Sequence, residues 1–137
     1  MDEITALVVP YRKKLGQTQY LLHKELIDKW DQRMDRCGIC ISGDLESIEK
    51  EILGVLEKEH GYIGDLNEMN SLGVCAGDRS TSNTYYLYAI DLSKAKISDP
   101  KLQENAEKHF WASDQVLLES IDAQMITCYA KIQYLLM

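Results

Sequence analysis

The residues best suited to chemistry lie between Gly38 and Gly61, in the segment GICISGDLESIEKEILGVLEKEHG. Two glycines and Asp44 come directly before a glutamate-rich stretch that ends at Gly61. Glycine lets a backbone approach a phosphate group closely, and carboxylates on one helix are suitable ligands for Mg²⁺. This order of residues is therefore typical of a loop and helix that bind a phosphate and a metal ion.

An amphipathic helix is predicted from about Leu45 to His60. Apolar residues recur there at three- and four-residue spacing and form one stripe, at Leu45, Ile48, Ile52, Val55 and Leu56. Asp44 is expected to cap the amino end, because its carboxylate can accept hydrogen bonds from the free amides of the first turn. Gly61 is expected just past the carboxyl end, because glycine takes a left-handed conformation at low cost.

The glutamates of this helix do not share one face. At about 100° per residue, Glu46, Glu49 and Glu57 cluster on one side, and Glu59 lies nearly opposite them. The four carboxylates therefore cannot all face one metal ion. For Glu59 two roles stay open, a metal ligand or a solvated residue at the helix end. For the other three, a solvated face is the favoured interpretation.

Length and charge narrow the class of protein. The 137 residues are enough to bury a core, and one domain over residues 1–137 is predicted. The formal net charge is −7. Nucleic-acid binding needs a basic face, so no nucleic-acid partner is predicted. A local basic patch stays open at Arg12-Lys13-Lys14, the only dense run of cations in the sequence.

The sequence predicts a cytoplasmic protein without membrane contact. No apolar run approaches the roughly 20 residues that span a bilayer. The start, MDEITALVV, has acids where a secretory signal would have Lys or Arg. The four cysteines are then expected to be free thiols. A zinc site is not favoured at Cys37-x-x-Cys40, because no second pair follows at ligand spacing.

The elements around the helix are predicted from apolar and aromatic runs. Six strands are assigned, at residues 3–11, 17–25, 38–41, 66–76, 84–92 and 109–111. The strand at 84–92 is apolar on both faces and is expected to be central in a sheet. Residues 93–108 are expected to be an exposed, charged excursion. Ser113 and Asp122 are expected to cap two helices at the end of the chain, which suggests a mixed sheet packed between helices.

This order of elements resembles that of the Nudix hydrolase superfamily over nearly the whole chain. The matching segments are the ALVVPYR strand, the hairpin into YLLHKE, the YYLYAIDL strand and the ending HFWASDQVLLESID. The resemblance implies an α/β fold, a Nudix-type α/β/α sandwich with a mixed β-sheet between helices. In that superfamily, metal ions neutralise a diphosphate and activate water.

The Nudix signature, G-x5-E-x7-R-E-U-x-E-E-x-G-U with U a bulky aliphatic residue, is matched only in part. When Gly61 is aligned with the final glycine of the signature, Glu59 takes the last glutamate position and Glu46 takes the upstream one. Lys58 then replaces the other glutamate of the Glu-Glu pair, and Gly54-Val55 replaces the Arg-Glu dipeptide. With Gly38 as the anchor, Gly43 and Asp44 match the loop, but the helix has two extra residues. The box is therefore interpreted as eroded.

The resemblance implies candidate roles for a small set of residues. The metal candidates are Glu59 and Asp44. The catalytic candidates are Glu59, Glu46 and an acid from outside the box, Glu107 or Glu104. The substrate-binding candidates are Gly38, Gly43 and Arg79. Structural roles stay open beside these: the glycines as a turn before the helix, Asp44 as a cap and Arg79 as a surface charge in a polar loop.

The sequence is compatible with three functions. The preferred one is a Nudix-like domain that binds a nucleoside diphosphate-linked ligand with little or no turnover and needs no cofactor. The alternative is a diverged pyrophosphohydrolase of such a substrate, dependent on Mg²⁺ or Mn²⁺, so the sequence leaves enzyme activity uncertain. A structural or protein-interaction domain is the third, and a homodimer is compatible with the sequence. The first is preferred because the lost acidic positions remove most of the charge that would hold metal ions.

Overall fold

The computed structural model describes residues 4–27, 32–37, 39–76, 84–103, 110–119 and 123–137. These residues form nine strands and four helices. The strands are β1 (Ile4–Lys14), β2 (Gln17–Ile27), β3 (Gln32–Cys37), β4 (Ile39–Gly43), β5 (Tyr62–Ile63), β6 (Met69–Ala76), β7 (Thr84–Asp91), β8 (Lys96–Ile97) and β9 (Phe110–Ala112). The helices are α1 (Ile48–His60), α2 (Pro100–Gln103), α3 (Asp114–Leu118) and α4 (Ala123–Leu135).

Seven of the strands form one mixed sheet in which β1 and β2 each pair with three others. The order is β3-β2-β1-β7-β6, with β4 also pairing β1 and β9 also pairing β2. β1 runs parallel to β7 and antiparallel to β2 and β4. Its first half pairs with β4, from Ile4 opposite Gly43 to Val8 opposite Ile39. β4 therefore leads from the centre of the sheet directly into the loop before α1.

Helices cover both faces of this sheet. Successive residues of β1 point to opposite faces, so Ala6 and Val8 pack towards α1, whereas Leu7 and Val9 pack towards α3 and α4. All four side chains are buried. The prediction of an α/β fold with a mixed sheet between helices is confirmed. No helix in the described part of the chain is long and apolar enough to cross a membrane.

Most of the predicted strands are present, with shifted ends. The strand predicted at 84–92 is β7, and it lies between β1 and β6 as its apolar faces indicated. The strand predicted at 66–76 begins only at Met69. Residues 66–68 form a 3-10 turn instead, and the Asp65 carboxylate accepts a 2.9 Å hydrogen bond from the backbone N–H of Asn67. The excursion over 93–108 contains β8 and α2 among its described residues.

The last two helices match the prediction more closely. Ser113 precedes α3, although its side chain makes no capping hydrogen bond. Asp122 lies outside the described residues. On α4, Met125, Cys128 and Ile132 are buried. Two of the four cysteines, Cys75 and Cys128, are free thiols, as predicted.

A buried tyrosine joins the sheet to the helices of this second face. Tyr20 on β2 is fully buried, and its hydroxyl accepts a 2.6 Å hydrogen bond from Nε2 of Gln133 on α4. The Asp114 carboxylate on α3 lies near enough to the same hydroxyl to raise its pKa. Burial, followed by the charge of Asp114, holds the pKa of Tyr20 well above its ordinary value of 10.0. Burial and the carboxylate of Asp91 raise the pKa of Tyr11 to about 12.

These tyrosines predict that the protein loses stability in alkali. The unfolded chain releases its phenolic protons near pH 10, whereas the folded protein keeps those of Tyr11 and Tyr20 to higher pH. Above pH 10 the folded state therefore binds more protons, and the free energy of unfolding falls as pH rises. Urea denaturation at pH 8.5, 10 and 11 should show this fall.

The double variant Tyr11→Phe/Tyr20→Phe should show a shallower fall over the same range, since two of the groups responsible are gone. Tyr134→Phe is the matched control, because that ring is 80% exposed. An equally steep fall in the double variant and the wild type would contradict the assignment.

Candidate functional site

The loop between β4 and α1 is closed by the side chain of Asp44. Its Oδ1 accepts hydrogen bonds from the backbone N–H of Ser47 at 3.1 Å and from the Ser47 hydroxyl at 3.0 Å. Residues 45–47 form a turn, and α1 begins at Ile48 with Ser47 at its N-cap position. The prediction that Asp44 caps a helix from Leu45 is therefore wrong by one turn. Leu45 is 56% exposed and does not belong to the buried stripe.

The rotation of α1 is fixed by its buried face. Ile48, Ile52 and Leu56 are fully buried against the sheet, at the four-residue spacing that was predicted. At the carboxyl end, Gly61 adopts a left-handed conformation with φ 78°, and its N–H donates to the carbonyl of Leu56. The prediction for Gly61 is confirmed. His60 is also buried, with 6% exposure, in agreement with a structural role.

The acids of the first long helix are all exposed, but they lie in different places. Glu46 belongs to the turn before α1, so it does not share a helical face with Glu49 and Glu57 as predicted. Glu49 lies close enough to β7 to affect Tyr88. Burial raises the pKa of Tyr88, and the Glu49 carboxylate raises it further.

The sequence prediction missed Glu51. Its carboxylate lies directly against the backbone of Gly43, where a Cβ atom would come within 2.9 Å of the Glu51 Cδ and overlap one of its oxygens. The close approach at Gly43 is thus made by a side chain of the protein itself. Glu51 matches no position of the Nudix signature. The signal available in the sequence was its eight-residue spacing from Glu59, which places both on one helical face.

That face of α1 carries two carboxylates with an apolar residue between them. Glu51, Val55 and Glu59 follow one another at four-residue spacing, and Val55 is half-buried. At 1.5 Å per residue, Glu51 and Glu59 are about 12 Å apart along the helix axis. Mg²⁺ needs its oxygen ligands at about 2.1 Å, in octahedral geometry. These two glutamates alone therefore do not fit one ion.

No other described side chains complete such a site. Within the described ranges, no group of three His, Cys, Asp or Glu side chains is placed to hold a metal ion. The predicted residues Gly43, Asp44, Glu46 and Glu59 are described, and the structure brings Gly43 together with Glu51 and not with Glu59. Four other predicted residues lie outside the described ranges and stay predictions: Gly38, Arg79, Glu104 and Glu107.

Comparison with known proteins relates the chain to others by structure and not by sequence. No protein-family model matches it, and no curated protein matches it significantly. Among solved structures, it is similar to the NUDIX domain of Shewanella oneidensis NrtR complexed with ADP ribose, with a TM-score of 0.64 and 13% identity over 98% of this chain and 88% of that one.

Two hydrolases are also similar in structure. One is an ADP compounds hydrolase, with a TM-score of 0.68 and 15% identity over 99% of this chain and 74% of that one. The other is the Ap4A hydrolase of C. elegans, with a TM-score of 0.63 and 14% identity over 100% of both chains. At these identities the comparisons show the fold alone. This chain has the Nudix fold.

The contact between Gly43 and Glu51 predicts how two glycine substitutions differ. Gly43→Ala should displace the Glu51 carboxylate at a cost below about 1 kcal/mol, because the end of a glutamate side chain can move. The cost should disappear in a Glu51→Ala background, since nothing then opposes the new methyl group. Urea denaturation of the two single variants and the double variant measures this coupling.

Gly54→Ala is the matched control on the same helix. A Cβ atom at Gly54 would meet nothing within 4 Å, and alanine in a helix interior is favoured over glycine by roughly 0.5–1 kcal/mol. This variant should be more stable than the wild type whichever residue occupies position 51. Additive effects of Gly43→Ala and Glu51→Ala would mean that the two residues do not touch.

Proposed function

We propose that this chain is a Nudix-fold domain with an eroded Nudix box, which binds a nucleoside diphosphate-linked ligand with little or no turnover. The ligand class is supported by the fold, because similar structures include a NUDIX domain complexed with ADP ribose and an ADP compounds hydrolase. The loss of turnover rests on one observation. Glu51 and Glu59 lie on one face of α1, about 12 Å apart along the axis, with Val55 between them.

The residues that replace the signature alter the charge of this surface. Lys58 is exposed beside Glu59, where the signature has a second glutamate. A lysine there cannot ligate a metal ion, but its ammonium group can pair directly with a diphosphate. In this proposal the positive charge that a metal ion would supply comes partly from Lys58. A bound diphosphate is then held without the ion that would activate water.

A diverged pyrophosphohydrolase is the second candidate, and the similarity to the Ap4A hydrolase favours it. Glu59 would then hold Mg²⁺ or Mn²⁺ together with Asp44 or Glu46 and an acid from another segment, Glu104 or Glu107. Asp44 already accepts two hydrogen bonds from Ser47 through one oxygen. Its other oxygen, Oδ2, would then be the one to ligate the metal ion.

A structural or protein-interaction role is the third candidate. It is favoured by an apolar groove of about 630 Å³ between β6 and α4. The groove is lined by Leu72 and Leu135 among others, and by Tyr134, whose ring is mostly exposed. Sedimentation of the purified chain tests whether copies associate through such a surface. A tight dimer that binds no nucleotide would favour this candidate over the other two.

A ligand panel distinguishes the first two candidates. Calorimetry with ADP-ribose, Ap4A and nucleoside triphosphates, in EDTA and again in 5 mM Mg²⁺ or Mn²⁺, should detect binding in EDTA for at least one compound. Chromatography of the same mixtures should detect no nucleoside monophosphate. Rapid, metal-dependent release of a monophosphate would refute the proposal and establish the hydrolase.

Restoring the signature should reverse this behaviour. In the variant Gly54→Arg/Val55→Glu/Lys58→Glu, carboxylates occupy neighbouring turns of α1, so Mg²⁺ should raise its melting temperature. Ligand binding in EDTA should weaken by about tenfold, since one charge-assisted contact of about 1.4 kcal/mol is lost with Lys58. Differential scanning calorimetry and the titrations above provide the two measurements.

Lys50→Glu is the control for that variant, because it changes the net charge of the same helix by the same −2 at an exposed position. It should neither gain a response to Mg²⁺ nor lose ligand binding in EDTA. An equal response of both variants to Mg²⁺ would mean that general negative charge, and not the placement of carboxylates, decides metal binding.

A further inference from the structure

Tertiary contacts bring two basic segments together at one end of the sheet. The backbone N–H of Lys13 on β1 donates a 2.8 Å hydrogen bond to the Ser93 hydroxyl. The N–H of Leu92 donates to the carbonyl of Tyr11 at 2.7 Å. The end of β1 therefore lies beside the loop between β7 and β8. We name the cations of these two segments the basic cluster: Arg12, Lys13, Lys14, Lys94 and Lys96.

Arg12 is held in place within the basic cluster. Its guanidinium lies 4.0 Å from the centre of the Trp111 ring, and its Nε donates a 2.8 Å hydrogen bond to Oε1 of Gln19. Trp111 is held in turn, since its Nε1 donates to the Tyr62 hydroxyl at 3.1 Å. Among the residues whose side chains the structure describes, none bonds the two terminal amino groups of Arg12. A planar guanidinium presented in this way suits phosphate oxygens.

The basic cluster stands out against the charge of the whole chain. It contains five of the 15 Lys and Arg residues, and without these five the formal charge of −7 would be −12. No side chain that the structure describes forms a salt bridge with these five cations. A cavity of about 510 Å³ lined by Lys94 and Lys96 also contains three carboxylates, from Asp65, Glu68 and Asp91. Anion binding here is therefore weak and sensitive to salt.

The arrangement favours an extended anion over a compact one. Arg12 and Lys14 point to one face of the β1–β2 hairpin, and Lys13 points to the other. The cations therefore lie on different sides of the end of β1 and do not converge on a single phosphate group. An extended chain of phosphates, spaced several Å apart, can contact them in succession. Trp111 is covered by Arg12, and Tyr62 is buried, so these two rings do not offer a platform for stacking bases.

From these observations we propose that the basic cluster binds the sugar–phosphate backbone of a single-stranded nucleic acid, without preference for base sequence. The contacts are ionic and go to phosphates, which position a strand but carry no sequence information. The basic cluster shares none of its residues with the proposed diphosphate site, which consists of Glu51, Lys58 and Glu59. The inference does not depend on the proposed nucleotide ligand, and either one can fail alone.

The test uses fluorescence anisotropy of 5′-fluorescein-labelled dT20 at 25 mM NaCl. The wild type should bind, and the logarithm of its affinity should fall with the logarithm of salt concentration with a slope of about −2 to −3, as three or four phosphate contacts predict. Lys94→Glu/Lys96→Glu should weaken binding by at least tenfold. Labelled dA20 should bind within about twofold of dT20, because no base is contacted.

The control is Lys50→Glu/Lys101→Glu, which makes the same change in net charge at two exposed positions outside the basic cluster. It should bind dT20 within about threefold of the wild type, and circular dichroism should show both double variants folded. Absence of binding at 25 mM NaCl, or equal losses in the two variants, would overturn the proposal. So would equal competition by polyglutamate of the same length, which would show a preference for negative charge and none for phosphate.

Discussion

The pairing of β1 with three neighbours is the constraint on which the rest of the structure depends. β1 binds β7 along one edge and divides its other edge between β4 and β2. Its residues from Ala6 to Val9 are buried on alternate faces, so they belong to both cores. A shift of one residue in register would move every one of these side chains to the opposite face. The apolar burial on both sides therefore fixes the register, and the register fixes where β4 ends.

The chemistry available to α1 follows from that position. β4 ends at Gly43, opposite the first residue of β1, and the loop closed by Asp44 then leads into the helix. Because Ile48, Ile52 and Leu56 must face the sheet, the helix cannot rotate to bring its acids together. Core packing thus decides which carboxylates share a face. Glu51 and Glu59 do so, but the half-buried Val55 occupies the position between them.

The sequence predicted the elements and buried faces that follow from local residue spacing. It did not predict the side-chain contacts between separate elements. The apolar faces of 84–92 indicated a central strand, and the spacing of Ile48, Ile52 and Leu56 indicated the buried face of a helix. The predicted start of α1 was too early because the Asp44 carboxylate accepts its hydrogen bonds from Ser47 within a turn. The apolar Leu45 had suggested that the buried stripe of the helix already began there. The contact of Glu51 with Gly43 joins a helix to a strand end, and no spacing rule predicts it.

The two ends of β1 have separate consequences for function. At its amino end, pairing with β4 sets the loop and helix that the sequence singled out. At its carboxyl end, the run Arg12-Lys13-Lys14 was visible in the sequence. Lys94 and Lys96 are about 80 residues away, and they join it through the pairing of β1 with β7 and the bonds to Ser93 and Leu92. The net charge of −7 is a sum over the whole chain, so it does not show where the cations are concentrated. Since charges interact mainly within a Debye length of about 8 Å at physiological salt, the local arrangement and not the net charge governs which anions the molecule can hold.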